Sequence, residues 1–422
     1  MTMSQSIPAR STGVSLIELM VALAITALLL LGVSEIFLGS RATFTVQQAM
    51  SRSQENARFA FNYFEDSIRM AGYFGCGNES DQLLQTNNYN HILAAGATDP
   101  ASLVNFHRPI EGFDYTACDA TSCDTDGNQP AVGANGEWSP SLANSGIPLS
   151  GSAQPVKGSD VLVLRILSAE SAPLLGVPNY NSGAKAEFTL GAVPGDPGFV
   201  KEFGVYAVTN CLPRVDVFIA SAGSAGTSLI AGNDVNLMEF PGASPPGPWS
   251  NISIEGVFDQ PPLGMPAGTL NAEAHQAEYM AFFVGLDAAG NPALKMQHYS
   301  GAMNGALPGL TIEDLADGVE AMQVQYGVDT DGDGLADDYE TAAEVMGHAT
   351  GSAPAQIDAV WRMVVSVRVG LLMRGQDIAG VPANSFGNQY TVEDAVMTRP
   401  ADGRYRDVYE TTIALRNRLT SF

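Results

Sequence analysis

The sequence predicts an α+β chain in which one long N-terminal helix, half transmembrane and half amphipathic, packs on an enlarged antiparallel β-sheet head with long loops. Three observations carry that expectation. No charged residue falls between Leu19 and Ser34, and past Glu35 none recurs before Arg41. That is enough apolar helix to cross a bilayer with Glu18 and Glu35 near its two faces. Farther on, Val46, Met50, Ala57, Phe61, Phe64, Ile68 and Ala71 recur at the spacing of one helical face. The remainder sets short β-rich runs among turn-forming residues, in a chain holding 44 glycines and 24 prolines.

In order, residues 1–13 form a polar leader whose single charge is Arg10, a weak positive-inside signal. Residues 14–40 are the membrane or filament-core segment. Residues 41–72 are the amphipathic segment, with Arg52, Glu55, Arg58, Glu65 and Arg69 off the apolar face and Gly72 as its stop. A continuous helix over 14–71 would measure roughly 85–90 Å, with Gly32 and Gly39 as points of local weakness. The head, 73–422, divides into a loop-rich stretch (73–158), a stretch of strands with proline-rich loops (159–318), and a C-terminal β region (319–422). Strands are expected over 161–166, 205–209, 215–220, 279–286, 293–299, 319–328, 363–373 and 408–415. In 319–328 the alternation points Met322, Val324 and Tyr326 one way.

With Lys+Arg 20 against Asp+Glu 45, the net charge is −25. Such a surface repels nucleic acid and suits cations or a basic partner. The four cysteines, Cys76, Cys118, Cys123 and Cys211, allow three pairings. We favour Cys118–Cys123 with Cys76–Cys211 over zinc ligation, because no Cys-x-x-Cys pair or neighbouring histidine couple is present.

The run Gly13, Val14, Ser15, Leu16, Ile17, Glu18 ahead of the apolar segment resembles the signal of type IV prepilins and type II secretion pseudopilins. In that family a prepilin peptidase cuts after the glycine, which would make Val14 the mature N-terminus. Val14 stands where phenylalanine is usual. A carboxylate in a lipid-embedded helix costs roughly 2.5–3.5 kcal/mol. The resemblance implies that the N-terminal amine of a neighbouring subunit neutralises Glu18 during assembly. Three further runs (322–329, 364–372 and 411–419), with 71–76 after the helix, resemble the PilW branch of minor pilins. The likeness covers 13–76 and 319–419. It implies a minor pilin that helps initiate pilus assembly and sits at or near the tip with other minor pilins. Its partners would be those minor pilins, the major pilin, the prepilin peptidase and a tip adhesin. The chain would first be a single-pass inner-membrane protein with a periplasmic head, and then part of the extracellular pilus. A GspJ-type pseudopilin and a membrane-anchored calcium-dependent adhesin are the rival readings.

The second motif is Asp329-Thr330-Asp331-Gly332-Asp333-Gly334-Leu335-Ala336-Asp337-Asp338-Tyr339-Glu340. Its spacing matches a calcium loop, with ligands expected from Asp329, Asp331, Asp333, the Leu335 carbonyl, Asp337 and Glu340. Six acids with no base among them would repel one another without a cation. The plain alternative is a solvated acidic turn. No catalytic residue is expected: His91, His107, His275, His298 and His348 are scattered, and neither a phosphate loop nor a nucleophile elbow occurs.

Overall fold

The computed structural model describes residues 13, 15–73, 75, 108–119, 122–123, 132–134, 136–142, 147, 154–175, 179–181, 185–191, 198–209, 215–232, 272–304, 307–352, 354–376, 381–382 and 385–416. Helix α1, Leu16–Met70, is unbroken over 55 residues and runs straight through Gly32 and Gly39. Its side chains from Leu16 to Phe44 include a long series of exposed large apolar residues. The most apolar 18-residue window has a mean hydropathy of 2.6 and none of it is buried. By length and composition this half can cross a membrane.

The other half of α1 is part of the core. Its buried residues are Ala49, Ser53, Ala57, Ala60, Phe64, Ser67 and Ile68. This stripe differs from the expected one at its start, where Met50 is exposed and Val46 only half-covered. Small side chains at 49, 53, 57 and 60 bring the helix backbone close to the sheets; Phe64 then fills the gap. Phe64 is fully buried, with its ring centroid 5.0 Å from that of Phe282, a burial that contributes roughly 1.5–3 kcal/mol.

The head begins with β1 (Ile110–Tyr115), β2 (Trp138–Ser139), β3 (Val161–Pro173), β4 (Asn179–Asn181), β5 (Lys185–Thr189), β6 (Val205–Thr209), β7 (Val215–Ile219) and β8 (Ser228–Gly232). It continues with β9 (Glu273–Leu286), β10 (Pro292–Asn304), β11 (Leu307–Asp317), β12 (Val319–Val328) and β13 (Asp338–Glu340). Two short helices follow, α2 (Ala342–Gly347) and α3 (Pro354–Trp361), and then β14 (Val364–Arg374), β15 (Gln389–Val392), β16 (Ala395–Thr398) and β17 (Arg406–Ala414). An eight-stranded sheet runs β11-β10-β9-β3-β1-β2, with β6 paired to β9 and β7 to β6. A four-stranded sheet runs β13-β12-β14-β17, and β15-β16 and β4-β5-β8 form small sheets. All of these strand pairs are antiparallel.

One core cluster joins α1 to both large sheets through Ala57, Phe64, Leu162, Phe282, Met322, Val324 and Val369. A second covers the opposite faces with Phe113, Trp138, Phe283 and Leu372. Because both its faces are covered, β12 is buried at all ten positions, and not only on the side of Met322, Val324 and Tyr326. The two sheets are stitched at Asp160. Its carboxylate accepts from Tyr115 N of β1 and from Val324 N of β12, each at 2.9 Å. Its own N–H donates to the Met322 carbonyl at 2.8 Å.

Candidate functional site

The N-terminus of α1 is built by its own sequence. Ser15 is the N-cap: its Oγ accepts from Glu18 N at 3.3 Å, and the Glu18 carboxylate accepts from Ser15 N at 2.9 Å. This capping box satisfies two helix-end N–H groups that lipid could not. Glu18 therefore has a local partner besides the intersubunit one that the resemblance implies, and the Ser-x-x-Glu spacing was the signal for it. Gly13 has no heavy atom within 4 Å of where a Cβ would stand. Val14 lies outside the described residues.

The acidic loop joins β12 to β13, so a strand and not a helix leads into it. Asp329, Asp331 and Asp333 converge, each offering a carboxylate oxygen within 4.8 Å of the others. Gly332 and Gly334 make the turn at φ +81° and +83°, a region open to glycine at little cost. The loop's backbone also uses these acids. Asp329 accepts from Gly332 N (2.6 Å) and Gly334 N (2.8 Å), and Asp333 accepts from Leu335 N (2.8 Å). The later residues point to other partners. Asp337 accepts from Thr330 N at 2.8 Å and from its hydroxyl at 2.5 Å. Glu340 meets His348 Nε2 at 2.8 and 2.9 Å. The described geometry therefore gathers three of the six expected ligands and holds Asp337 and Glu340 in other bonds.

Two family models place these features. Type IV Pilus-assembly protein W, PilW, matches residues 281–417. The prokaryotic N-terminal methylation motif matches residues 8–34. Together these two matches support a PilW-like type IV pilin. No curated protein and no solved structure matches it.

The PilW match starts inside β9 and takes in the whole four-stranded sheet and the acidic loop. It reaches farther upstream than the runs that suggested it. The apolar helix and the prepilin motif fit a membrane-anchored pilin, and pilin membership implies a structural role. Cys118 and Cys123 are disulfide-bonded. Asp119 N donates to the Ser122 carbonyl at 2.9 Å across that loop, and Cys123 packs beside Met397. Cys76 and Cys211 lie outside the described residues.

Proposed function

We propose that this PilW-like chain is a minor pilin that helps initiate type IV pilus assembly and takes a place at or near the tip beside other minor pilins. The 14–40 segment would serve as membrane anchor and then as filament core, and 41–72 as the stem of the head. The prepilin peptidase would cut between Gly13 and Val14. The head would carry one Ca²⁺ in the 329–340 loop, whose all-oxygen donors suit a hard cation. The carrying observation is the exposed apolar half of α1, which begins at a capped Glu18 and continues without a break into the head's core. A subunit so built can leave lipid only by packing that half against other helices.

The test is complementation of a deletion strain, scoring pili, twitching and type II secretion separately. Mass spectrometry should find Val14 as the first residue, and Glu18→Ala should insert and mature yet fail to restore pili. A mature chain that keeps residues 1–13, or full piliation by Glu18→Ala, would sink this reading. A defect confined to type II secretion would turn it into a pseudopilin.

A further inference from the structure

A cleft of about 540 Å³ opens where α1 enters the head, with Gln48 and Arg52 on the helix side and Arg374 and Arg404 on the head side. The wall is tightly set: a Cβ on Gly375 would stand 3.2 Å from the Ala49 methyl, and Asn56 Nδ2 donates to the Asp317 carbonyl at 3.0 Å. Behind it lies Glu320, 1% exposed. Arg406 takes up that carboxylate through Nε at 2.6 Å and also binds Asp402 at 2.8 and 2.9 Å. What remains for the other arginines is poor. Arg374 has a side chain only 9% exposed, yet its ion contact with Glu320 is 3.7 Å long. Arg404 reaches Asp402 at 3.4 Å. Arg52 is exposed and has no ion pair among the described residues.

The cleft's own acids do not answer them. Asp287 is engaged in its turn, accepting from Asn291 N at 2.7 Å and Ala289 N at 2.8 Å. Asp317 is exposed at the rim and makes no ion pair among the described residues. The charged groups acting on Arg374 are Glu320, Asp402, Arg404 and Arg406; burial first, then the two arginines, hold its guanidinium below the ordinary value. A largely buried cation whose carboxylate contact is long and shared with Arg406 leaves room for a second anion. In a chain of net charge −25, this concentration of arginine is the local exception.

Lipid headgroups are too far away. Ala49 lies about 16 Å along the helix beyond Leu38, where the apolar run ends, at ~1.5 Å per residue, whereas the headgroup layer is only about 5–8 Å thick. The exposed apolar helix, by contrast, would bring other pilin subunits alongside this collar once it leaves lipid. We propose that the cleft seats an aspartate or glutamate side chain of a neighbouring pilin subunit, with Arg374 as the buried anchor and Arg52 and Arg404 at the mouth. This rests on incorporation into a filament, as proposed above.

The test uses the full chain in cells, with photoreactive benzoylphenylalanine at the exposed Gln48, followed by mass spectrometry of sheared pili. The expected adduct is a pilin peptide carrying Asp or Glu. Arg52→Glu with Arg404→Glu should cut its yield at least ~tenfold, since like charges would now meet in a desolvated contact, while maturation and membrane level hold. Changing the partner's acid to arginine should restore the yield. Arg52→Glu alone, on the exposed helix surface, should act in the same direction and keeps the test valid where Arg404→Glu prevents folding. Adducts to lipid, a yield indifferent to charge reversal, or a chain present in pili without any Gln48 adduct would each overturn the proposal. Absence of the chain from pili would overturn the minor-pilin reading itself.

Discussion

The 329–340 loop and the Asp114–Asp160 pair both crowd carboxyl groups together, and the head treats them in opposite ways. In the loop, Asp331 and Asp333 face solvent, and a mobile ion can enter. Between the sheets, Asp160 is buried and shares a hydrogen bond with Asp114. No cation among the described residues adjoins that pair; burial first, then Asp114, pushes the Asp160 carboxyl well above its ordinary range. Burial, helped by Asp394, pushes Asp114 up to about 7. One cluster lies open to water and the ions in it, and the other holds a proton. The difference follows from access to water: a charge that cannot be hydrated or paired is neutralised instead.

Asp160→Ala should break this contrast most severely. It strands Tyr115 N and Val324 N at the join between the sheets, and each unsatisfied buried group costs about 1–3 kcal/mol. A loss of about 3 kcal/mol or more in denaturant unfolding is expected. Asp160→Asn, which keeps one acceptor oxygen, should lose distinctly less. Equal stability of wild type and Asp160→Ala would show that the sheets do not depend on this stitch.

Such a join was not legible in the sequence, because its donors come from strands far apart in the chain. The same holds for Glu320 and Arg406, which are 86 residues apart. What was legible is local. β6 and β12 fall where their apolar runs place them, and α1 follows from a charge-free run continued at helical spacing. β11 escaped because its residues 311, 313, 314 and 317 are exposed and polar, as an edge strand allows. The β15–β16 hairpin escaped because its two-residue turn is Glu393-Asp394, with Glu393 at φ +51°, where Asn-Gly would have been the signal. In the acidic loop, the spacing of the acids could be read directly, but the bonds that hold Asp337 and Glu340 could not. Thr341 caps α2 with Glu344, and that short helix brings His348 back to Glu340.

The proton-holding pair should sharpen the contrast by its pH dependence. Asp114 has a folded value of about 7 against an ordinary 3.8, so between those values the folded chain binds more protons than the unfolded one. Stability is then greatest in acid and falls as pH rises, with the contribution lost above about 7; the steepest slope for one proton is about 1.4 kcal/mol per pH unit. Glu393, raised to about 7 by burial and Glu410, adds in the same direction. Asp114→Asn should flatten unfolding curves taken from pH 5 to 8, and Glu393→Gln should flatten them further. A slope unchanged by Asp114→Asn would remove the shared proton from the account.

The smallest effect is expected at the loop. A soluble fragment for this test must start near Thr45, because Ala49 to Ile68 belong to the head's core; beginning at residue 73 would open that core. Calcium binding at ~10⁻⁴–10⁻³ M, the range of extracellular modules, would add roughly 1.4–2.7 kcal/mol at 10 mM ion. That should appear as a rise of a few degrees in melting temperature, reversed by a chelator and absent in Asp331→Ala with Asp333→Ala. His348 decides how the site closes. If Glu340 joins the ion it must leave the imidazole that now holds both its oxygens, so His348→Ala should free it and tighten calcium binding. Titration calorimetry on the two fragments measures the difference directly. Unchanged affinity would confine the ion to Asp329, Asp331 and Asp333, and no binding heat at millimolar Ca²⁺ would leave the loop a solvated turn.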